Sequence, residues 1–178
     1  MSALEKFLNL PEERGRLKTS MGGLIKILLD TSVYIPYINQ GIAHPILEFR
    51  EGAPVLHMSA VVMEEIYAGT FDRTTRRLLD RVYRTFNKLG RMVTPDAGDW
   101  QRAGRIIASL GQKYGFEERY LSRVLNDTLI ASSSRKIGAT LFTKNRKNYL
   151  RIKEFVDFAI APWRESLQRG IKAYRRHP

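Results

Sequence analysis

The chain has 178 residues, enough for about one domain at a typical ~150 residues per domain, and at 43% hydrophobic and 27% charged residues it is composed like a globular protein with a buried core. No apolar stretch reaches the ~18 residues of a membrane-spanning helix, and the first twenty residues lack the apolar run of a secretory signal, so a cytoplasmic protein with no membrane association is expected. Zero cysteines exclude disulfides, thiol nucleophiles and Cys-ligated zinc or iron–sulfur centres, and His44, His57 and His177 are too dispersed to form a zinc cluster.

Thirty Lys and Arg against 18 Asp and Glu leave a formal charge of +12, which points to a polyanionic partner. The charge is concentrated. Residues 72 to 88 hold six basic and two acidic side chains, 144 to 153 hold five basic and no acidic ones, and 163 to 178 hold five basic and one acidic, so the rest of the chain is close to neutral. Solvated helix faces and a solubility tail would have the same composition; phosphate contact is the sharper expectation.

In chain order, residues 1–23 are polar, carry Pro11 and Gly15 and end in Met21-Gly22-Gly23, as an arm outside the core would. The domain is expected over 24–162, with a basic tail over 163–178. Ile25 to Leu29 reads as a buried strand, followed by Asp30-Thr31-Ser32 at the start of a helix that runs toward Gln40. Pro54 to Met58 is the next strand, and Ser59 caps a helix ending at Gly69. A long basic helix covers about 72 to 89, where Leu78, Leu79, Val82 and Phe86 keep helical spacing. Met92 to Thr94 is a brief strand, Pro95 and Asp96 open a helix to about Tyr114, and a further helical region leads through Asn126-Asp127 to Lys136 and ends at Gly138. Ala139 to Thr143 and Phe155 to Ile160 are strand-like, with the basic segment between them. Alternating short strands and helices predict a three-layer α/β/α domain around a mostly parallel sheet. No repeat or low-complexity segment interrupts it.

Three acids sit where a core does not favour them. Asp30 ends the most apolar strand, at the edge where ligands of such sheets gather, although with Thr31 and Ser32 it equally suits a helix cap. Glu65 lies in the middle of the helical arc of Val61, Val62, Ile66 and Gly69, whereas Glu64 points away to solvent. A carboxylate in that phase needs a cationic partner, hydrogen bonds or a metal; a buried pair with an arginine would satisfy it too. Asp127 follows Asn126 at what reads as a helix start, where either residue can cap. Were the helix instead unbroken from Leu121, Asp127 would fall off the face of Leu121, Val124, Leu125 and Thr128. Three carboxylates with no Cys or His cluster, on a basic domain, suit Mg²⁺ or Mn²⁺ and phosphodiester hydrolysis.

These fragments, Leu28-Leu29-Asp30-Thr31-Ser32, the helix SAVVMEEIYAG from Ser59 to Gly69, NDTLIA from Asn126 to Ala131, and Thr143-Lys144-Asn145, stand in one order over roughly residues 25 to 160. In that order the chain resembles the PIN-domain ribonucleases, especially VapC-like toxins of toxin–antitoxin pairs. The resemblance implies that Asp30, Glu65 and Asp127 are the catalytic, metal-binding acids, with Thr31, Ser32, Thr143 and Asn145 in support. It also implies Mg²⁺ (Mn²⁺ as the alternative), RNA as substrate, a homodimer and a cognate antitoxin. RNA contact falls to Lys144, Arg146, Lys147 and Arg151, with 72 to 88 as a second region. The departure is at the family's fourth acid: where T-x-N-x-x-D-F is common, this chain reads Thr143-Lys144-Asn145-Arg146-Lys147-Asn148-Tyr149. The neutral Asn148 can still support the site through a carbonyl oxygen or a held water, but it implies weaker binding of a second metal, and it also suits a non-catalytic RNA-binding relative. A PIN nuclease of RNA maturation, or one acting on DNA, is the third reading.

Overall fold

A strand with no polar side stays dry only if both its faces are covered, and that requirement organises this molecule. The structure, a computed structural model, describes residues 25–40, 54–115 and 118–161, with side chains from residue 124 onward in the last stretch. The expected arm and basic tail, with His44 and His177, lie outside the described residues.

The elements are β1 (Lys26–Leu29), α1 (Thr31–Gln40), β2 (Val55–Ser59), α2 (Ala60–Ala68), α3 (Arg73–Lys88), β3 (Met92–Val93), α4 (Ala97–Tyr114), α5 (Glu118–Lys136), β4 (Thr140–Phe142), α6 (Arg146–Lys153) and β5 (Ala159–Ile160). The strands form one five-stranded sheet in the order β3-β2-β1-β4-β5, parallel at every pairing. Consecutive residues Ile27, Leu28 and Leu29 of the central β1 are all buried, as expected of a strand sandwiched between helical layers. Leu28 is flanked by His57 on one side and Leu141 on the other. Helices α1, α2 and α3 pack in succession, as do α4, α5 and α6. Right-handed crossovers assign the first group to one face and the second to the other, because the chain moves outward through β2 to β3 and then crosses back to β4.

Local chemistry sets the helix ends. The Ser59 hydroxyl accepts from the Val61 N–H at 3.2 Å and the Asp72 carboxylate from the Thr75 N–H at 2.7 Å. Asp96 and Asp99 form a reciprocal capping box at the start of α4. Gly138, at φ 64°, turns the chain from α5 into β4.

Two expectations need correction. Asn126-Asp127 does not begin a helix: α5 is continuous from Glu118 to Lys136, so neither residue caps it. Residues 155 to 158 are not strand, because the N–H groups of Phe155 and Val156 both return to the Ile152 carbonyl and close the end of α6, leaving only Ala159–Ile160 to pair with β4. The basic segment between these strands is itself helical, as α6, anchored by buried Tyr149 and Ile152. Among the described residues no helix is long and apolar enough to cross a membrane.

Candidate metal centre

Strand order reverses beside β1: its neighbour on one side is β2, the next strand in the chain, and on the other is β4, which arrives only after β3. Helices leave in opposite directions from such a switch point, and a crevice opens beyond the carboxyl ends of the two strands. Asp30 is the first residue beyond β1 and Thr143 the first beyond β4. The Asp30 N–H donates to the Phe142 carbonyl at 2.9 Å, which aligns the two strand ends.

Asp30 is 4% exposed, so its carboxylate must be satisfied by protein groups. Its Oδ2 accepts from Ser32 Oγ at 2.5 Å, Thr143 Oγ1 at 2.7 Å and the Ser32 N–H at 3.4 Å. Its Oδ1 accepts from the Tyr149 hydroxyl at 2.9 Å. The cap expected of Asp30 is thus present but long, and shorter bonds come from elsewhere in the fold. Ser32 Oγ in turn accepts from the Lys144 N–H at 3.0 Å, and Thr143 Oγ1 from the Asn145 N–H at 2.9 Å, tying the loop after β4 to the start of α1.

Glu65 comes from α2. Its Oε2 accepts from Thr31 Oγ1, and its Oε1 from Asn126 Nδ2 of α5 at 2.8 Å. Glu64, next to it, is exposed. Asp127 lies on α5 and accepts at Oδ2 from Asn148 Nδ2 at 3.0 Å and Asn145 Nδ2 at 3.2 Å. Asp127 lies off the core face of an unbroken α5 and still faces the cluster, because α5 also packs against α6, which covers the flank that carries it.

Among the described residues no cation pairs with these three acids. The pKa of Asp127 is pushed up to about 6, first by burial and then by the charges of Asp30 and Glu65, with the Asn148 hydrogen bond pulling the other way. Burial, then the negative charge of Asp30, keeps the Tyr149 hydroxyl protonated and therefore a donor. Among the described residues, the ion pairs are Lys113–Glu154, Lys136 with Asp96 and Asp99, and Lys153–Asp157; none involves Asp30, Glu65 or Asp127. Among the described residues Glu65 is satisfied by Thr31 and Asn126 and not by an arginine.

Among the described residues every donor to these carboxylates is a neutral hydroxyl, amide or backbone N–H, and no three His, Cys, Asp or Glu groups close on a point tightly enough to enclose an ion alone. That donor set fits Mg²⁺, which keeps several of its waters and takes only one or two direct carboxylates. Hard oxygen ligands and mutual repulsion both favour such a cation.

Sequence reasoning passed over two residues of this cluster, Tyr149 and Asn126. Tyr149 carries a signal in hindsight, since a tyrosine at a core position of α6 brings a hydroxyl that needs a partner. Asn126 carries none beyond adjacency to Asp127. Of the four cations expected to meet RNA, Lys144, Arg146 and Lys147 are exposed beside the cluster. Arg146 donates to the Ala161 carbonyl at 3.3 Å, and the guanidinium of half-buried Arg151 stacks 4.6 Å from the Tyr114 ring centroid. Both of these help to hold α6 in place.

The family model described as PIN domain matches residues 27–154. Among solved structures, the chain is similar to one in VapBC2 from Rickettsia felis bound to a DNA fragment from their promoter, at 22% identity and TM-score 0.54, covering 78% of this chain and 99% of that one. The DNA-bound VapBC from Salmonella typhimurium gives 22% identity and TM-score 0.56 over 79% and 99% of the two chains. VapBC-1 from nontypeable Haemophilus influenzae gives 18% and 0.55 over 78% and 98%. At these identities the likeness is one of fold. A search of curated proteins yields no match to the chain.

Proposed function

The chain belongs to the PIN domain family, a family of nucleases, and from that premise we propose that it is a Mg²⁺-dependent endoribonuclease and the toxin of a toxin–antitoxin pair. The observation that carries the reading is the convergence of Asp30 after β1, Glu65 of α2 and Asp127 of α5, where the donors among the described residues are all neutral and Asp127 feels the charge of the other two. These three carboxylates hold the divalent ion, with Mn²⁺ able to replace Mg²⁺. Bound there, the ion supplies neutralisation of the scissile phosphate and a more acidic water. Ser32, Thr143 and Tyr149 fix the Asp30 carboxylate, Thr31 and Asn126 fix that of Glu65, and Asn145 and Asn148 fix that of Asp127. Lys144 and Lys147 meet phosphates flanking the cut. The VapBC assemblies among the similar structures support a cognate antitoxin and a toxin role, and resemblance to VapC toxins supports a homodimer.

Asn148 favours one other reading, a PIN-like module that binds RNA without cutting it, because a neutral donor stands where a fourth acid is common and occupies an Asp127 oxygen. Cleavage of a panel of structured and single-stranded RNAs with Mg²⁺, Mn²⁺ or EDTA separates the two. Metal-dependent cutting by wild type, reduced at least ~100-fold in folded Asp30→Asn and Glu65→Gln variants, is the expected result. RNA binding without cutting at any metal concentration would establish the module instead.

A further inference from the structure

Helix α3 takes no part in the carboxylate cluster, yet it carries a long row of cations on one face. Arg73, Arg77, Arg81, Arg84 and Lys88 follow one another at steps of four, four, three and four residues, which sets them in a single row along the helix. All five are exposed, and the opposite face, Leu78, Leu79, Val82 and Phe86, is buried. Fifteen rises of ~1.5 Å make the row about 22 Å long, with neighbours ~5–6 Å apart. That spacing suits successive phosphates of one nucleic-acid strand.

The row lacks internal compensation. Lys113, Lys136 and Lys153 elsewhere have carboxylate partners, whereas none of the five cations on α3 forms an ion pair among the described residues. Asp80, the only acid within the helix, accepts from the Tyr67 hydroxyl at 2.7 Å, and Asp72 is the N-cap. Like charges at these intervals destabilise a helix. A polyanionic partner supplies what the fold does not.

A second observation selects the kind of polyanion. Phe71, just before the cap, is 83% exposed, the most exposed large hydrophobic residue described. Its carbonyl accepts from Arg76 Nη2 at 2.8 Å, which pins the Phe71 backbone to the first turns of α3. A bare aromatic ring at the end of a cation row is the pairing by which proteins hold single strands, bases stacking on the ring and phosphates following the charge. An acidic protein surface would use the cations and leave the ring unexplained.

We propose that Phe71 and the row Arg73, Arg77, Arg81, Arg84 and Lys88 form a rail for single-stranded RNA, separate from the metal centre, which holds the strand outside the cleavage position. This deepens the nuclease reading and rests on it for the identity of the nucleic acid. The test is fluorescence anisotropy on the full chain in EDTA, where nothing is cut, with a 20-nucleotide single-stranded RNA, the same sequence as a duplex, and polyglutamate as probes. Arg77→Gln/Arg81→Gln/Arg84→Gln is expected to weaken single-strand binding roughly tenfold or more and to flatten the slope of log affinity against log salt by about two, ~0.7 for each lost phosphate contact. The corresponding triple lysine variant should restore the slope, and Phe71→Ala should weaken single-strand binding with the slope unchanged and reduce the preference over duplex. Unchanged affinity and slope in the glutamine variant would overturn the proposal. So would loss of polyglutamate binding with RNA binding intact, which assigns the row to an acidic protein, or a Phe71→Ala variant that behaves as wild type. A chain that binds RNA through α3 but cuts none with Mg²⁺ or Mn²⁺ would keep the rail and discard the nuclease.

Discussion

Asp30 survives at 4% exposure because four donors reach it, and only two of them come from the same stretch of chain. Asp127 is less well served. Its pKa of about 6 against the ordinary 3.8 means that the fold holds a proton more tightly than the unfolded chain does. The metal-free protein is therefore favoured below pH ~4 and loses that advantage as the pH rises through about 6. The loss is about 1–2 kcal/mol, below the ~3 kcal/mol of the full pKa gap, because the half-buried group keeps some contact with water. Asp127→Asn should accordingly be more stable than wild type at pH 7 in EDTA, equal to it near pH 4, and less responsive to added Mg²⁺. Urea denaturation across that pH range, with and without the ion, reads all three. Residue identity alone led to Asp30 and Glu65, since an acid at a strand end and an acid in a core-facing phase are both visible in one dimension. The donors Tyr149 and Asn126 were not visible, because a hydrogen bond across 119 or 61 positions depends on where the fold brings the partners.

At the scale of elements, the cap residues decide where each helix begins and so where its acids stand. Ser59 ends β2, caps α2 and lies within 3.3 Å of Ser133 Oγ, so it sets the register of Glu65 six residues later. Ser59→Ala should cost about 1–2 kcal/mol in chemical denaturation and lower metal-dependent activity through misplacement of Glu65. Gly138→Ala, at φ 64° with open space around the position, should cost about 1 kcal/mol from backbone strain alone and leave activity intact. Finding both variants equally active would break the link between this cap and the site. Helix α5 shows how packing overrides a local signal. Asn126-Asp127 has the composition of an N-cap, yet burial of Thr128, Leu129, Ile130, Ala131, Ser132, Ser133 and Ser134 on every side of the helix carries it through without a break.

Across the whole molecule, one core joins both helical layers through the sheet, with Leu28, Leu29, Leu141, Leu129 and Ile130 at its centre. Leu28→Ala should cost about 2–5 kcal/mol and lower the midpoint of a single unfolding transition, since the strand it would loosen touches both halves of the sheet. Separate transitions for the two sides of the sheet would contradict that picture. What the amino-acid order determined by itself was everything that a local period or a local cap encodes: the alternation of strands and helices, the parallel three-layer class, most element boundaries, the amphipathic α3 and the suspicion that falls on Asp30 and Glu65. Tertiary structure alone decided the continuity of α5, the shortness of β5, the helical nature of the basic segment and the inward direction of Asp127. It also decided the network of neutral donors and left the cations of α3 without an ion pair among the described residues. These depend on which surfaces meet, and burial against a partner element outweighs the propensity of a few residues whenever the two conflict.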